Sequence, residues 1–278
     1  MRLRIAHSTT YRYEPPASSV IQLIRMTPRS HDGQYVVNWQ VFASTDTRMQ
    51  MHHDAFGNIT HVLTHGPIGE LTINVDGLVE TQDTSGVLRG TDERFPPGLF
   101  LRPTDLTEVD ATMREMTDDL LPVRDDDVLG FLHALLAQIH DHMTFDVDPT
   151  HAGTSAADAF TLRRGVCQDY AHIFIACARA GGVPARFVSG HFLRSDGVVQ
   201  QDAGHAWAEA YVPRLGWVGF DAANGISTTD AHVRVAVGLD YLGAAPVRGT
   251  RYGGGAEQLA VAVRVNQAGR QSQSQSQS

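Results

Sequence analysis

Three residue types that can together carry nucleophilic acyl transfer follow one another along this chain. A cysteine sits in Gly165-Val166-Cys167-Gln168-Asp169-Tyr170-Ala171-His172, a histidine in Gly204-His205-Ala206-Trp207, and an aspartate in Gly219-Phe220-Asp221. A thiol is the common side chain that is both strongly nucleophilic and partly ionised near neutral pH. It needs a base beside it and a third group to orient that base. The rest of the sequence has to supply elements that bring the three together.

After Cys167 the apolar residues Tyr170, Ala171, Phe174, Ile175 and Ala178 fall on one helical stripe. Gly181-Gly182 followed by Pro184 stops that helix, and Arg164-Gly165 breaks the pattern before it. Cys167 is therefore expected in the first turn, where unpaired amide groups and the helix dipole favour a thiolate. The first-turn amides, including that of Cys167, can also receive the oxyanion of a tetrahedral intermediate. Cys177, ten residues later in the same helix, reads as a core residue. Ten residues of helix span roughly 15 Å, too far for a disulfide. His172 lies at offset five from Cys167, pointing away from it, and is expected to be structural.

Residues 205–212 alternate as a strand, with Trp207, Glu209 and Tyr211 on one face and Ala206, Ala208, Ala210 and Val212 on the other. Residues 216–221 read as the next strand, and the short Pro213–Gly216 connection predicts a hairpin. Antiparallel pairing then places His205 and Asp221 at adjacent ends. There a carboxylate can fix the imidazole tautomer and stabilise the imidazolium.

Around this segment the chain divides into parts. Residues 1–100 read as strands separated by Gly, Asp and Asn turns, among them Tyr35–Phe42, Ile59–Leu63 and Leu71–Val75, and predict an antiparallel β-sandwich. Residues 90–103, with Pro96-Pro97-Gly98, read as a linker. Helices are expected at about 104–120 and 127–143, then the cysteine helix, then strands from about 185 to 265 ending in Leu259–Val265. The Gln/Ser-rich stretch 268–278 has nothing to bury and is expected to be disordered.

Composition sets limits. The 278 residues carry 22 basic and 31 acidic side chains, a formal charge of -9, with no basic face to neutralise phosphates, so no nucleic-acid partner is expected. No apolar run is long enough to span a membrane, and the N-terminus does not lead into a signal-peptide core; the expectation is a cytoplasmic protein without a membrane partner. Fourteen histidines raise a metal reading. Neither His52-His53-Asp54 with His61 and His65, nor His133 with His140 and His142, has a recognised ligand spacing, so no metal site is expected. The oligomeric state is not legible.

The motif set resembles the transglutaminase-like superfamily, in particular bacterial transglutaminase-like enzymes and candidate cysteine proteases. The matching elements are Arg164–His172, Gly182–Gly190, His205–Glu209 and Trp217–Gly225, together with Thr9–Tyr13 and Asp54–Asn58 near the N-terminus. The resemblance implies an α+β fold: a β-sandwich over residues 1–100, a papain-like, transglutaminase-like catalytic core over 104–267, and a Cys–His–Asp triad of Cys167, His205 and Asp221. Animal transglutaminases add an oxyanion-donating tryptophan upstream of the cysteine. No tryptophan lies between Trp39 and Trp207, which leaves Gln168 and the backbone near Thr154-Ser155 as candidates beside the Cys167 amide. No acidic loop has calcium-ligand spacing, so no cofactor is expected. The expected chemistry is attack on an amide of a peptide or protein through a thioester. Hydrolysis is favoured over amine transfer because none of Asp169, Asp202 and Glu209 is visibly committed to an ammonium group, and a non-catalytic interaction module is a third reading.

Overall fold

The structure, a computed structural model, describes residues 1–269; residues 270–278, which hold most of the stretch expected to be disordered, lie outside the described residues. The fold is α+β, with two mainly antiparallel sheets and a helical layer.

The first sheet has eight strands and is built on one long strand, Arg2–Thr27. Leu3, Ile5, His7, Thr9, Tyr11 and Tyr13 alternate inward along its first half, the period that a half-buried strand requires. This half lies between Ala256–Gln267 and Ile68–Thr81, while the second half lies between Val247–Gly253 and Ile59–His65. The register against Ile68–Thr81 slips between Arg12 and Ala17, across Pro15-Pro16, which have no N–H to donate to a ladder. Side chains from both halves, including Tyr11, Val20, Ile24, Leu63, Leu71 and Ile73, share one core. The layers of the expected sandwich are thus two halves of one sheet joined through a shared strand.

The domain limits expected from the sequence need correction on this point. The strands Val247–Gly253 and Ala256–Gln267, placed in the catalytic core by the 104–267 boundary, hydrogen-bond along the N-terminal strand instead. Conversely, Val87–Leu88 pairs with Trp217-Val218 in the second sheet. The linker is packed as well: Pro97–Leu101 forms a 3-10 turn that buries Phe100 edge-on against Trp217, with ring centroids 5.1 Å apart. A strand's partner is a long-range property, and local alternation cannot assign it.

The second sheet runs in the order Ile226–Ser227, Gly216–Asp221, His205–Val212, Ala185–Phe192, His232–Gly238. Four helices, Ala111–Asp126, Val128–His142, Ala156–Leu162 and Cys167–Ala180, supply the core that covers one face. The first begins later than expected because residues 104–107 form a threonine-bonded turn and Asp110 caps the helix by accepting from the Met113 amide. Ala206, Ala208 and Ala210 face the cysteine helix, whose Phe174, Ile175 and Ala178 share their core. Small side chains on the strand let the helix approach closely. No described helix is long and apolar enough to cross a membrane.

Candidate active site

Cys167 is the first residue of its helix, following Val166 in extended conformation. The helix start is held by Asp169, whose Oδ2 accepts from the Val166 amide at 2.8 Å and from the Thr150 hydroxyl at 2.7 Å. Gly165 is required here, since a β-carbon would come within 2.5 Å of that same carboxylate oxygen. The short parallel pairing of Thr144-Phe145 with Arg164-Gly165 and an ion pair between Arg164 and Asp146 fix the chain just before the cysteine. The amides of Cys167 and Gln168 are in the first turn, where the helix itself provides no acceptor. The Gln168 side chain reaches only the Ala152 carbonyl, at 3.4 Å.

The expected hairpin forms, with Ala208 opposite Phe220 and Val212 opposite Gly216. It brings His205 Nε2 to 2.6 Å from Asp221 Oδ2. That leaves Nδ1 as the nitrogen free for a second partner, and Cys167 is close enough to help raise the His205 pKa. His205 opens its strand opposite Gly190, where a β-carbon would overlap the Val233 carbonyl and the Trp207 ring. Burial alone would lower the His205 pKa, but the charge and hydrogen bond of Asp221, and then Cys167, outweigh it and raise it to about 10. Asp221 is fully buried; burial would raise its pKa, yet His205 and His232 hold it well below the usual carboxylate range.

Asp221 has more donors than the sequence suggested. Asn224 gives its side-chain amide to Oδ2 at 2.7 Å and its backbone amide to Oδ1 at 3.2 Å. His232 Nε2 lies 3.1 Å from Oδ2. His232 is a site residue that sequence reasoning missed. The available signal was a histidine opening a strand, the same local setting as His205. His205, Asp221 and His232 form the one cluster of three metal-type ligands found among the described residues. The Thr229 amide donates to His232 Nδ1, however, which puts the ring proton on Nε2. That nitrogen is then a donor to Asp221 and has no lone pair to offer a cation.

Other candidate residues are occupied structurally. His172 is buried, accepts from the Tyr241 amide at 3.0 Å, and has a pKa lowered by burial to about 4. Cys177 is fully buried, and burial pushes its thiol up to about 12. Glu209 bridges Arg186 and Arg234, each at 2.7 Å, and those arginines hold it at about 2 against the effect of burial. Asp54 pairs with Arg25 and caps its own turn, and His140 and His142 bond the backbone carbonyls of Ala222 and Phe160.

A thiol at a helix start, packed against a hairpin that pairs a histidine with an aspartate, defines a papain-like α+β protein. Family models narrow this further: the transglutaminase-like superfamily matches residues 117–222, and the bacterial transglutaminase-like N-terminal region matches residues 3–80. An uncharacterized protein of Mycobacterium leprae is 30% identical over 279 residues, covering 95% of this chain and 98% of that protein. A protein-glutamine gamma-glutamyltransferase of Pseudomonas aeruginosa is 31% identical over 131 residues, 41% of this chain and 19% of that protein. A crystal structure of a candidate cysteine protease from Cytophaga hutchinsonii shares the fold, with a TM-score of 0.74 and 21% identity over 96% of this chain and 90% of that one. The chain belongs to the transglutaminase-like superfamily.

Proposed function

We propose that this protein is a thiol-dependent enzyme that cleaves amide bonds of peptides or proteins, with Cys167 as nucleophile, His205 as its acid–base partner and Asp221 as orienter. The observation that supports this most directly is the 2.6 Å bond that commits His205 Nε2 to a buried carboxylate and leaves the other nitrogen free for the thiol. His205 takes the proton of the Cys167 thiol, which gives a thiolate–imidazolium pair. The thiolate attacks the amide carbon, and first-turn amides, Cys167's first, receive the oxyanion. His205 then donates its proton to the departing nitrogen as the C–N bond breaks. Water attacks the resulting thioester and gives a proton to His205, and the acid leaves as the thiolate is restored.

Water as the acceptor is favoured because two of the acidic groups near the motif are committed elsewhere: Asp169 to the helix start and Glu209 to two arginines. Amine transfer is the second reading, favoured by the name of the Pseudomonas relative. Transfer needs a site that holds an amine at high effective molarity against about fifty-molar water. We place the protein in the cytoplasm, with no metal requirement.

The test is to treat the folded protein with iodoacetamide, map the adduct, and then incubate untreated protein with a glutamine-containing peptide mixture with and without a millimolar primary amine. Labelling confined to Cys167, with products of net hydrolysis, is the expected result. Equal labelling of Cys177 would overturn the nucleophile, and saturable amine incorporation that outcompetes hydrolysis would establish transfer.

A further inference from the structure

The hydrogen bonds around Asp221 single out a residue outside the Cys167–His205–Asp221 set. Asp221 Oδ2 receives His205 from one side and His232 from another, at 2.6 and 3.1 Å. The two imidazoles are not equivalent. Asp221 and then Cys167 raise the His205 pKa against burial, whereas burial lowers the His232 pKa more than Asp221 raises it. The Thr229 amide fixes the His232 tautomer from behind, at 3.0 Å to Nδ1. The ring is also packed in place by Phe192 and Trp207, with centroids 4.6 and 5.2 Å away. His232 is thus a rigid neutral donor aimed at the carboxylate oxygen that binds His205.

The strand that carries His232 is itself an edge of the second sheet, and the first sheet grips its free side. Gln34 accepts from the Arg234 amide at 2.8 Å and donates to the Arg234 carbonyl at 2.9 Å. Asn58 does the same at Val237, at 2.8 and 2.7 Å. Each side-chain amide replaces one residue of a neighbouring strand. All four atoms would otherwise be unpaired edge groups.

Resting on the thiol-enzyme reading above, we propose that His232 is a positioning residue: as a neutral Nε2–H donor it fixes the Asp221 carboxylate in the orientation that aligns His205 with Cys167. His232 does not touch the reacting atoms, so its effect must pass through Asp221. A double-mutant cycle read by the rate of Cys167 alkylation isolates that route. His232→Phe keeps the ring packing and removes the donor; His232→Gln keeps an amide donor near the Nε2 position. The partner substitution is Asp221→Ala.

With folding checked by thermal melts, His232→Phe is expected to slow Cys167 alkylation about tenfold, the usual scale for one hydrogen bond to a charged group. His232→Gln should recover most of that loss. In the Asp221→Ala background, His232→Phe should change the rate less than twofold. Equal losses in both backgrounds, or no loss in the wild-type background, would overturn the proposal. Wild-type Cys167 reacting no faster than it does in His205→Ala would instead overturn the thiol-enzyme reading, and this inference with it.

Discussion

Replacing Asp221 by Asn is the most direct probe of how the thiol is activated, because it removes a charge while keeping the side-chain shape. His205 owes its elevation to about 10 chiefly to Asp221, working against burial. Without that carboxylate, His205 should fall to its ordinary value of about 6.5 or below. At pH 7.5 a group with pKa 6.5 is only about one-tenth protonated, so the imidazolium form of His205 declines at least tenfold. At pH 5.5 a group with pKa 6.5 is about nine-tenths protonated, so the difference should nearly disappear. The assay is the rate of iodoacetamide alkylation at Cys167, followed by peptide mapping across pH 5–9, with Cys177 as the buried internal control. NMR of the His205 ring gives an independent titration. A deficit of the same size at both pH values would show that Asp221 does not act through the charge of His205. Unchanged alkylation at pH 7.5 in a folded variant would refute the ion-pair argument altogether.

Three further outcomes follow from the packing. Glu209→Gln should destabilise the fold by about 3 kcal/mol in denaturant titrations, since it leaves the buried Arg186 and the half-buried Arg234 beside a neutral group; the value is at the low end because Arg234 keeps some solvent and Glu93 still holds Arg186 at 2.6 and 2.9 Å. Stability should fall as pH drops below 6.5, because His172, His191 and His7 are lowered by burial to about 4, 3 and 4 and must gain protons on unfolding. His205 has the opposite sign: its contribution is present below about 6.5 and is lost as pH rises toward 10, so melting temperatures should peak near pH 6.5 and fall on both sides. Gly165→Ala should slow Cys167 alkylation at least severalfold and lower the melting temperature, because the new methyl meets the Asp169 carboxylate that holds the helix start; wild-type reactivity in that variant would show that the helix start tolerates displacement.

Much of the site was legible because each part carries its own local signal. The cysteine helix announces itself by its apolar stripe and glycine stop, and the hairpin by alternation and a short connection, so the elements that carry Cys167, His205 and Asp221 were expected from the sequence. His232 was not named, because its strand pairs with Ala185–Phe192 rather than with its neighbour in sequence, and nothing local places it beside Asp221. The same limit explains the misplaced C-terminal strands. Val247–Gly253 and Ala256–Gln267 alternate like any strand after the hairpin, and nothing local says that their ladder partner is Arg2–Thr27. Glu209 illustrates a different failure. A carboxylate at an inward strand position is ambiguous until the arginines that neutralise it are seen in space, and Arg234 lies beyond the motif.

The long-range part of the fold also bears on why the two sheets occur in one chain. An edge strand with four unpaired backbone groups beside a buried Asp–His pair would be the weakest point of the second sheet. Here it is closed by two side-chain amides from the first sheet, and by His7 and His191, whose rings meet edge to face across the same boundary, 5.5 Å apart. The first sheet is closed in return by the strands that follow His232–Gly238. Each sheet therefore completes an edge of the other. A C-terminal half expressed alone, from residue 104 onward, would expose the free side of the His232 strand and leave Val247–Gln267 without the strand they pair with. The N-terminal region is part of the framework that holds the His232 strand in place.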